Sequence, residues 1–398
     1  MLIGVVGKPS SGKSTFFKAA TLADVEIANY PFTTIKPNHG TGFVKIDCAD
    51  KEFNVQCNPR MGYCQNHNRF IPVDMLDVAG LVPGAHEGKG MGNQFLDDLN
   101  QADVLIHIID CSGSTNANGE PVDALSHDPL KDVGFLEFEL DMWYIRSIEK
   151  GWEKFARSVA QERANMIKAM AKQLSFLRVT EVIIEDTMEK LGLEHDVTKW
   201  THETKRKFAT HVRRITKPMV VACNKIDVPG AENNFNRLRE AFPQSILIPC
   251  SSEAELALKE AAKHQLIDYI PGESSFSIKN ESSLNEKQKK ALQFIDENVL
   301  KKFKSTGVQG IINAAVFDCL KYIAIFPGGV GKMQDQYGRT LADCFLMPPN
   351  ATALDFAFKL HTDIGNHFVK AIDVKTRKPV GKDYPLKHRD VIEIATSK

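Results

Sequence analysis

The sequence predicts an α/β fold with a mostly parallel sheet, a helical insertion and a small α+β module at its C-terminal end. Three observations predict it. Apolar runs at 2–6, 71–76, 104–109, 218–223 and 245–249 alternate with helical patterns, and a polar or glycine-rich segment follows each at once. Strands of continuous apolar residues fit a parallel sheet covered on both faces, as in a three-layer domain. The first run passes into Gly7-Lys8-Pro9-Ser10-Ser11-Gly12-Lys13-Ser14-Thr15, a Gly-x4-Gly-Lys-Ser phosphate-binding loop set between a strand and a helix. From about residue 320 the texture changes to short strands, turns and one short helix, punctuated by Pro327-Gly328-Gly329, Pro348-Pro349-Asn350 and Lys382-Asp383-Tyr384-Pro385.

Composition sets the bounds. The 398 residues leave room for two or three domains, and 43% hydrophobic with 25% charged residues is ordinary for a globular chain. The formal net charge is +0, so any surface for nucleic acid must be local rather than global. No apolar run reaches the length needed to cross a bilayer, and no membrane or DNA partner is expected. The first strand runs straight into the phosphate loop, unlike a signal peptide, so a cytoplasmic location is the expectation.

Along the chain, 42–57 reads as a further strand pair leading to a cysteine-bearing hairpin tip. In 135–175, Phe138, Met142, Ile145, Ile148, Trp152, Phe155 and Val159 recur at spacings of three and four, which predicts one or two amphipathic helices with a packing stripe. A helix is expected over 179–191, with Val182, Ile183, Thr187 and Leu191 on one side, and another over about 201–215. Helical patterns follow at 253–268 and 285–303, with 271–283 an exposed connection. The expected layout is a nucleotide-binding part at 1–129 and 216–275, a helical insertion at 130–215, a helical connection at 276–319 and a separate domain at 320–398. The segment 199–217 carries Lys199, Lys205, Arg206, Lys207, Arg213, Arg214 and Lys217 with Glu203 its only acid. It reads either as an RNA-contacting face or as a solvated basic helix.

Cys57-x6-Cys64-x2-His67, with Cys48 upstream, is the cysteine pattern outside the apolar strands. The spacing is not a standard zinc pattern, and reduced structural thiols are the expectation, with zinc the alternative.

The chemistry gathers at strand ends, where open α/β sheets bind ligands. In the loop at Gly7, successive N–H groups face phosphate oxygens with a helix N-terminus behind them. Lys13 reaches the β- and γ-phosphates and the Ser14 hydroxyl binds Mg2+. Asp77-Val78-Ala79-Gly80 follows the run at 71–76; its carboxylate can hold a metal-bound water and the Gly80 N–H can sense the γ-phosphate. Asn224-Lys225-Ile226-Asp227 follows the run at 218–223. The Asp227 carboxylate suits the N1–H and N2–H2 donors of guanine, and adenine offers no such pair. Lys225 would lie over the base, and Asn224 would tie this loop to the phosphate loop. Cys250-Ser251-Ser252-Glu253 follows the run at 245–249, and its backbone N–H groups, those of Ser251 and Ser252 among them, can meet guanine O6. A threonine in Asn29-Tyr30-Pro31-Phe32-Thr33-Thr34-Ile35-Lys36-Pro37-Asn38 can bind Mg2+ only while the γ-phosphate is present, which makes that loop a switch. The glycine-rich stretch from Gly80 to Gly92 is a second switch candidate.

These residues resemble the Obg family of translation-factor-class GTPases, most closely its YchF-like branch. Tyr30-Pro31-Phe32-Thr33-Thr34 with Pro37-Asn38 is similar to the first switch of that family, and Asp77-Val78-Ala79-Gly80-Leu81-Val82-Pro83-Gly84-Ala85 to its second. The helical insertion ahead of Asn224 also matches. Leu354 to Gly365 and Leu386 to Ile394 resemble a TGS domain, a β-grasp module that implies RNA or ribosome contact. The resemblance implies a P-loop NTPase domain, GTP and GDP as ligands, and Mg2+ held by Ser14, Thr34 and Asp77. Thr34 rather than Thr33 is the metal ligand by this likeness, and Lys13, Thr34 and Gly80 act at the transferred phosphoryl group.

Two departures from the family sharpen the expectation. Many YchF-like proteins have an altered Asn-Lys-x-Asp motif and are associated with ATP, whereas this chain keeps Asn224, Lys225 and Asp227, which predicts GTP. Leu81 stands where many GTPases carry a water-orienting Gln, which predicts slow intrinsic turnover that needs a partner or another residue, His86 and Glu87 being candidates. Ser10 stands where K+-using relatives carry Asn. The expected function is a nucleotide-controlled switch on the ribosome or structured RNA. The alternatives are an ATPase of the same family, an RNA-binding scaffold with structural nucleotide, and a metabolic enzyme that uses the phosphate loop alone.

Overall fold

The computed structural model describes residues 1–22, 39–78, 98–162 and 165–397. The chain divides into two compact units, Met1–Ser14 with Leu76–Cys250 and Thr15–Met75 with Ser251–Lys398.

The first unit is built on parallel strands β1 (Leu2–Val6), β5 (Val104–Asp110), β6 (Met219–Asn224) and β7 (Ile246–Pro249). Their registers run Ile3 to Val104, Leu105 to Met219 and Val220 to Ile246. Every residue of β5 is buried, as a central parallel strand requires. The chain enters this unit at the end of β4 (Asn68–Asp77), where Val78 N–H donates to the Val5 carbonyl at 3.0 Å. Helix α1 (Lys13–Thr21) follows the loop after β1.

Among the described residues, five α-helices lie between β5 and β6: α2 (Leu130–Glu149), α3 (Trp152–Glu162), α4 (Met166–Gln173), α5 (Glu181–Leu191) and α6 (His202–Thr216). Leu136 and Leu140 of α2 pack on Val6, Leu99, Ala102 and Leu105 against the sheet. The other face of α2, with Tyr144, Ile145 and Ile148, joins Trp152, Met170, Ile184, Trp200 and Phe208 in a separate core. Trp152 and Trp200 stack there at 5.3 Å. The packing stripe read from the sequence survives with one exception: Phe138 is half exposed. In α5 the buried face is Ile184, Thr187 and Met188, and Val182 is 72% exposed. The cause is local. Thr180 caps α5 through the Ile183 N–H, which sets the helix start and turns Val182 outward.

In the second unit, β2 (His39–Asp47) is one strand, and the residues after it form a 3-10 turn, Ala49–Phe53, rather than the expected partner strand. The turn forms because the Asp50 carboxylate takes the Cys57 N–H at 3.0 Å and Asn54 closes it in the left-handed region at φ 52°. The hairpin lies further on, between β3 (Tyr63–Gln65) and β4, with a two-residue turn at Asn66 and His67, both at positive φ. Cys57 is therefore in the preceding loop and not at a hairpin tip.

Helix α8 (Ser252–Lys263; α7 is Ala231–Ala241, in the first unit) ends earlier than expected, because Gln265 adopts φ 56° and Ile267–Tyr269 become strand β8. β8 pairs antiparallel with β9 (Phe276–Ile278), so the stretch at 271–283 is half hairpin. Helix α9 (Glu286–Ile295) carries a full capping box at Asn285 and Gln288 and continues through a π turn to Phe303. After α10 (Val308–Asn313) comes the terminal module. Its strands are β10 (Ile323–Pro327), β11 (Phe345–Met347), β12 (Phe368–Asp373), β13 (Lys378–Val380) and β14 (Val391–Thr396). They are ordered β11-β10-β14-β12-β13, with β10 and β14 parallel. Two short helices, α11 (Ala353–Leu360) and α12 (Thr362–Asn366), stand where one was expected. Phe356 of α11 is buried with Ile325, Met347, Ala371 and Ile392, a helix gripped by a mixed sheet as in a β-grasp.

Candidate nucleotide site

The phosphate loop needs two backbone positions that a side chain would spoil. A Cβ at Gly7 would lie 2.4 Å from the Ile108 carbonyl, and Gly12 sits at φ 92° with Asn224 Nδ2 where its Cβ would be. Between them Ser10 adopts φ 60°, Pro9 is half buried, and the Ser11 hydroxyl closes the turn on the Lys8 carbonyl at 3.0 Å. The two lysines of the loop part company. The Lys8 side chain turns into the protein, 2.8 Å from Asp132 and from the Thr115 carbonyl, and Asp132 also meets His127 at 2.8 Å. Lys8 therefore offers a ligand its backbone alone. Lys13, at the start of α1, donates to the Val78 carbonyl at 2.7 Å and lies 3.3 Å from Asp77.

Asp77 Oδ1 is buried, and the Lys13 ammonium at 3.3 Å is the partner that the described residues give it. With the exposed Ser14 hydroxyl it offers hard oxygen donors of the kind Mg2+ takes, so the residues present fit that ion. Thr34, Gly80, Leu81, His86 and Glu87 lie outside the described residues, as do both switch stretches. Thr15 is half buried and belongs to the second unit.

The Asn224-Lys225-Ile226-Asp227 motif is built at the end of β6. Asn224 Nδ2 donates to the Ser11 carbonyl at 2.9 Å, the tie to the phosphate loop expected of it. Lys225 stands at φ 60°, and its Nζ lies 3.0 Å from Asp110 and 3.2 Å from Ser114 Oγ. Asp227 is half buried, and its carboxylate has no hydrogen-bond or ion-pair partner among the described residues. The Ile226 N–H and Cys250 N–H bond the carbonyls of Cys250 and Cys223, fixing this loop to the end of β7.

Asp110, which sequence reasoning missed, organises this corner. It is fully buried at the end of β5 and accepts from Ser112 N–H at 3.1 Å, Ser112 Oγ at 2.5 Å, Ser114 Oγ at 3.0 Å and Thr115 Oγ1 at 2.8 Å, besides Lys225. Burial pushes its carboxyl up, but the hydrogen bonds and the Lys225 charge outweigh it and hold the carboxyl below its ordinary value. The available signal was the abrupt polar run Asp110-Cys111-Ser112-Gly113-Ser114-Thr115 behind an apolar strand.

Two further expectations change. In the second unit the Ser251 N–H donates to the Thr306 carbonyl at 2.9 Å, and its hydroxyl caps α8 through Ala254 N–H at 3.3 Å. That amide is already committed to Thr306 within the second unit, and Ser252 is buried beside it. Lys199, in the turn ahead of α6, pairs with Glu194, and on α6 itself Lys205 pairs with Glu149 and Lys207 with Glu203. Arg213 is buried against Asp141 at 2.7 Å, and Lys217 donates to the carbonyls of Asn100 and Ala102 at 2.8 and 2.6 Å. The basic count of 199–217 thus overstates the charge this helix offers a polyanion. Cys57 and Cys64 lie in the second unit with Cys48 and Asp50, ligating atoms within 4.8 Å of one another, and His67 meets Asp50.

Residues 2–133 match the family model of the 50S ribosome-binding GTPases, 222–329 that of the Obg-like GTPase YGR210-like G4 motif-containing domain, and 331–396 the TGS domain. An uncharacterized GTP-binding protein of Methanocaldococcus jannaschii is 47% identical, over 100% of this chain and 99% of its own. The ribosome-binding ATPase YchF of Haemophilus influenzae is 29% identical over 67% of this chain and 69% of its own. A crystal structure of a GTP-binding protein from Pyrococcus horikoshii superposes with a TM-score of 0.79 at 39% identity, with full coverage of both chains. The chain belongs to the Obg-like GTPases, in the YGR210-like group related to YchF, and carries a C-terminal TGS domain.

Proposed function

We propose that this chain binds GTP in preference to ATP, hydrolyses it slowly with Mg2+, and uses the bound nucleotide to control docking on the ribosome or structured RNA. The observation that carries the base preference is the Asn224-Lys225-x-Asp227 corner. Asn224 is tied to Ser11, Lys225 is held by Asp110, and Asp227 keeps a carboxylate without a partner among the described residues. Two donors on guanine satisfy that carboxylate; adenine presents an acceptor to it and leaves it unpaired. The ATPase names of the YchF relatives favour the second reading, an ATPase of the same family, and the base contact separates the two.

Catalysis would rest on placement. Lys13 would neutralise the β- and γ-phosphates, and the backbone from Gly7 to Ser14 would cradle them, with Thr15 following in α1. Ser14, Asp77 and, by family likeness, Thr34 would hold Mg2+, which supplies positive charge to the departing phosphate oxygens. Gly80 would contribute an N–H to the γ-phosphate. Leu81 offers no group to orient water, which supports slow turnover by the chain alone.

For the partner, the TGS match and the family description favour RNA or the ribosome. Within the terminal module, Lys370, Arg377, Lys378, Lys382 and Lys387 are exposed and have no ion-pair partner among the described residues. Three of these lie on the β12–β13 hairpin, which is a better phosphate-facing surface than α6. Co-sedimentation with ribosomes tests the switch: retention with a non-hydrolysable GTP analogue and release with GDP is expected. Equal retention with both nucleotides would favour a scaffold instead.

A further inference from the structure

We infer that the second unit holds a structural zinc ion, ligated by Cys48, Cys57, Cys64 and Asp50. The four ligating atoms all lie within 4.8 Å of one another. Cys48 and Cys57 sulfurs are 3.5 Å apart, and Cys64 Sγ is 3.9 Å from Asp50 Oδ2. A tetrahedral ion with bonds of about 2.3 Å has ligand–ligand edges of about 3.8 Å, so the set has the size of one coordination shell. A disulfide requires about 2.05 Å and is not what the Cys48–Cys57 pair shows. A multi-iron cluster places sulfide-bridged irons between its cysteines, whereas this set converges on a single point. Three soft sulfurs and one oxygen, with no hard-donor majority, select zinc over magnesium or calcium.

The surroundings are arranged for an anionic centre. Asp50 is fully buried; its Oδ2 takes the Cys57 N–H, and His67 Nδ1 lies 3.0 Å from its Oδ1, an outer-shell bond that orients a ligating carboxylate. Arg69 is 1% exposed, with one nitrogen 3.8 Å from Cys57 Sγ, and no carboxylate pairs with it among the described residues. A buried guanidinium needs a counter-charge, and a thiolate bound to zinc supplies one.

The ion would fix the platform on which the terminal module rests. Asn58 and Arg60 N–H groups, in the loop between Cys57 and Cys64, donate to the carbonyls of Thr340 and Ala342 at 2.9 and 2.8 Å. Arg69 donates to the carbonyls of Leu341 and Ala342, both at 3.0 Å. Zinc thus acts as a staple under the 340–343 segment rather than in the nucleotide chemistry.

The test uses full-length protein purified under reducing conditions, with elemental analysis and with Co2+ exchanged for the native ion. One zinc per chain is expected, and the cobalt form should show tetrahedral visible bands with thiolate-to-cobalt charge transfer. Cys64→Ser should lose the stoichiometric metal and His67→Ala should weaken binding about 10–100-fold. Cys319→Ser, outside the cluster, should change nothing. Should Cys64→Ser fail to fold, the wild-type cobalt spectrum decides by itself. Absence of stoichiometric zinc together with absence of cobalt–thiolate bands would overturn the assignment, as would a Cys48–Cys57 disulfide in that material.

Discussion

Asp110→Asn removes one charge from the corner around Lys225 while keeping the side chain's shape. The carboxylate is fully buried and meets five donors, three of them on Oδ2: Ser114, Thr115 and Lys225. An amide placed in either orientation sets an N–H2 against donors, so at least one buried hydrogen bond is lost. Removing one partner of a buried ion pair costs about 3–5 kcal/mol. Lys225 retains 28% exposure and regains some hydration, which brings the expected loss of folding stability to about 2–4 kcal/mol. Lys225 also loses the contact that places it, so GTP affinity should fall roughly 10–100-fold, or about 1.4–2.8 kcal/mol. Denaturant unfolding and equilibrium binding of a fluorescent GTP analogue measure both. The pH dependence adds a signature. A carboxyl held below its ordinary value contributes stability that is complete above about pH 4 and lost as pH falls through its folded value. That acid limb should be reduced in Asp110→Asn. A variant with wild-type unfolding midpoint and wild-type GTP affinity would refute the claim that Asp110 sets the position of Lys225.

Other expectations follow from single residues. His107 is buried in β5 with Nδ1 unpartnered among the described residues, and burial, aided by the Lys8 charge, pushes its imidazole down to about 3. The unfolded chain takes up that proton near pH 6.5, so His107 should cost up to about 1.4 kcal/mol per pH unit below 6.5. His107→Leu should flatten that part of the curve, checked by unfolding at pH 7 and pH 5. Gly12→Ala places a Cβ 2.2 Å from Asn224 Nδ2 at φ 92° and should destabilise by about 2–4 kcal/mol while breaking the Asn224–Ser11 tie; unchanged GTP binding would contradict that role. Arg377→Glu with Lys378→Glu should weaken ribosome co-sedimentation and reduce its salt slope by about 2, with folding stability within about 0.5 kcal/mol of wild type.

The parts of the site that were legible are those whose chemistry is local. A loop that must pass glycine backbone close to Ile108 and Asn224 announces itself by spacing, and strands of the parallel sheet announce themselves by unbroken apolar runs. What stayed illegible depends on partners distant in sequence. Asp110 reads as an ordinary strand-end acid until Lys225, 115 residues away, is brought beside it. Arg213 and Lys217 count as basic surface until Asp141 and the carbonyls of Asn100 and Ala102 absorb them. Ser251 reads as a free amide donor until Thr306 accepts its N–H. The turn at Ala49–Phe53 replaced an expected strand because one side chain, Asp50, bonds the backbone seven residues on, which periodicity does not register. The same Asp50 then joins three cysteines whose linear spacing matched no standard metal pattern.

The central claim is that Asp227 makes this a guanine site. Equilibrium affinities for GTP, ATP and xanthosine triphosphate in the wild type and in Asp227→Asn test it most directly. The amide keeps one acceptor but sets its N–H2 against a guanine donor; loss of that hydrogen bond to a charged acceptor, at about 1.5–3 kcal/mol, corresponds to at least a roughly 10-fold weakening of GTP. The account predicts wild-type preference for GTP over ATP, and a shift of Asp227→Asn toward xanthosine triphosphate, whose C2 carbonyl accepts from the new amide. Equal or tighter binding of ATP by the wild type would contradict it.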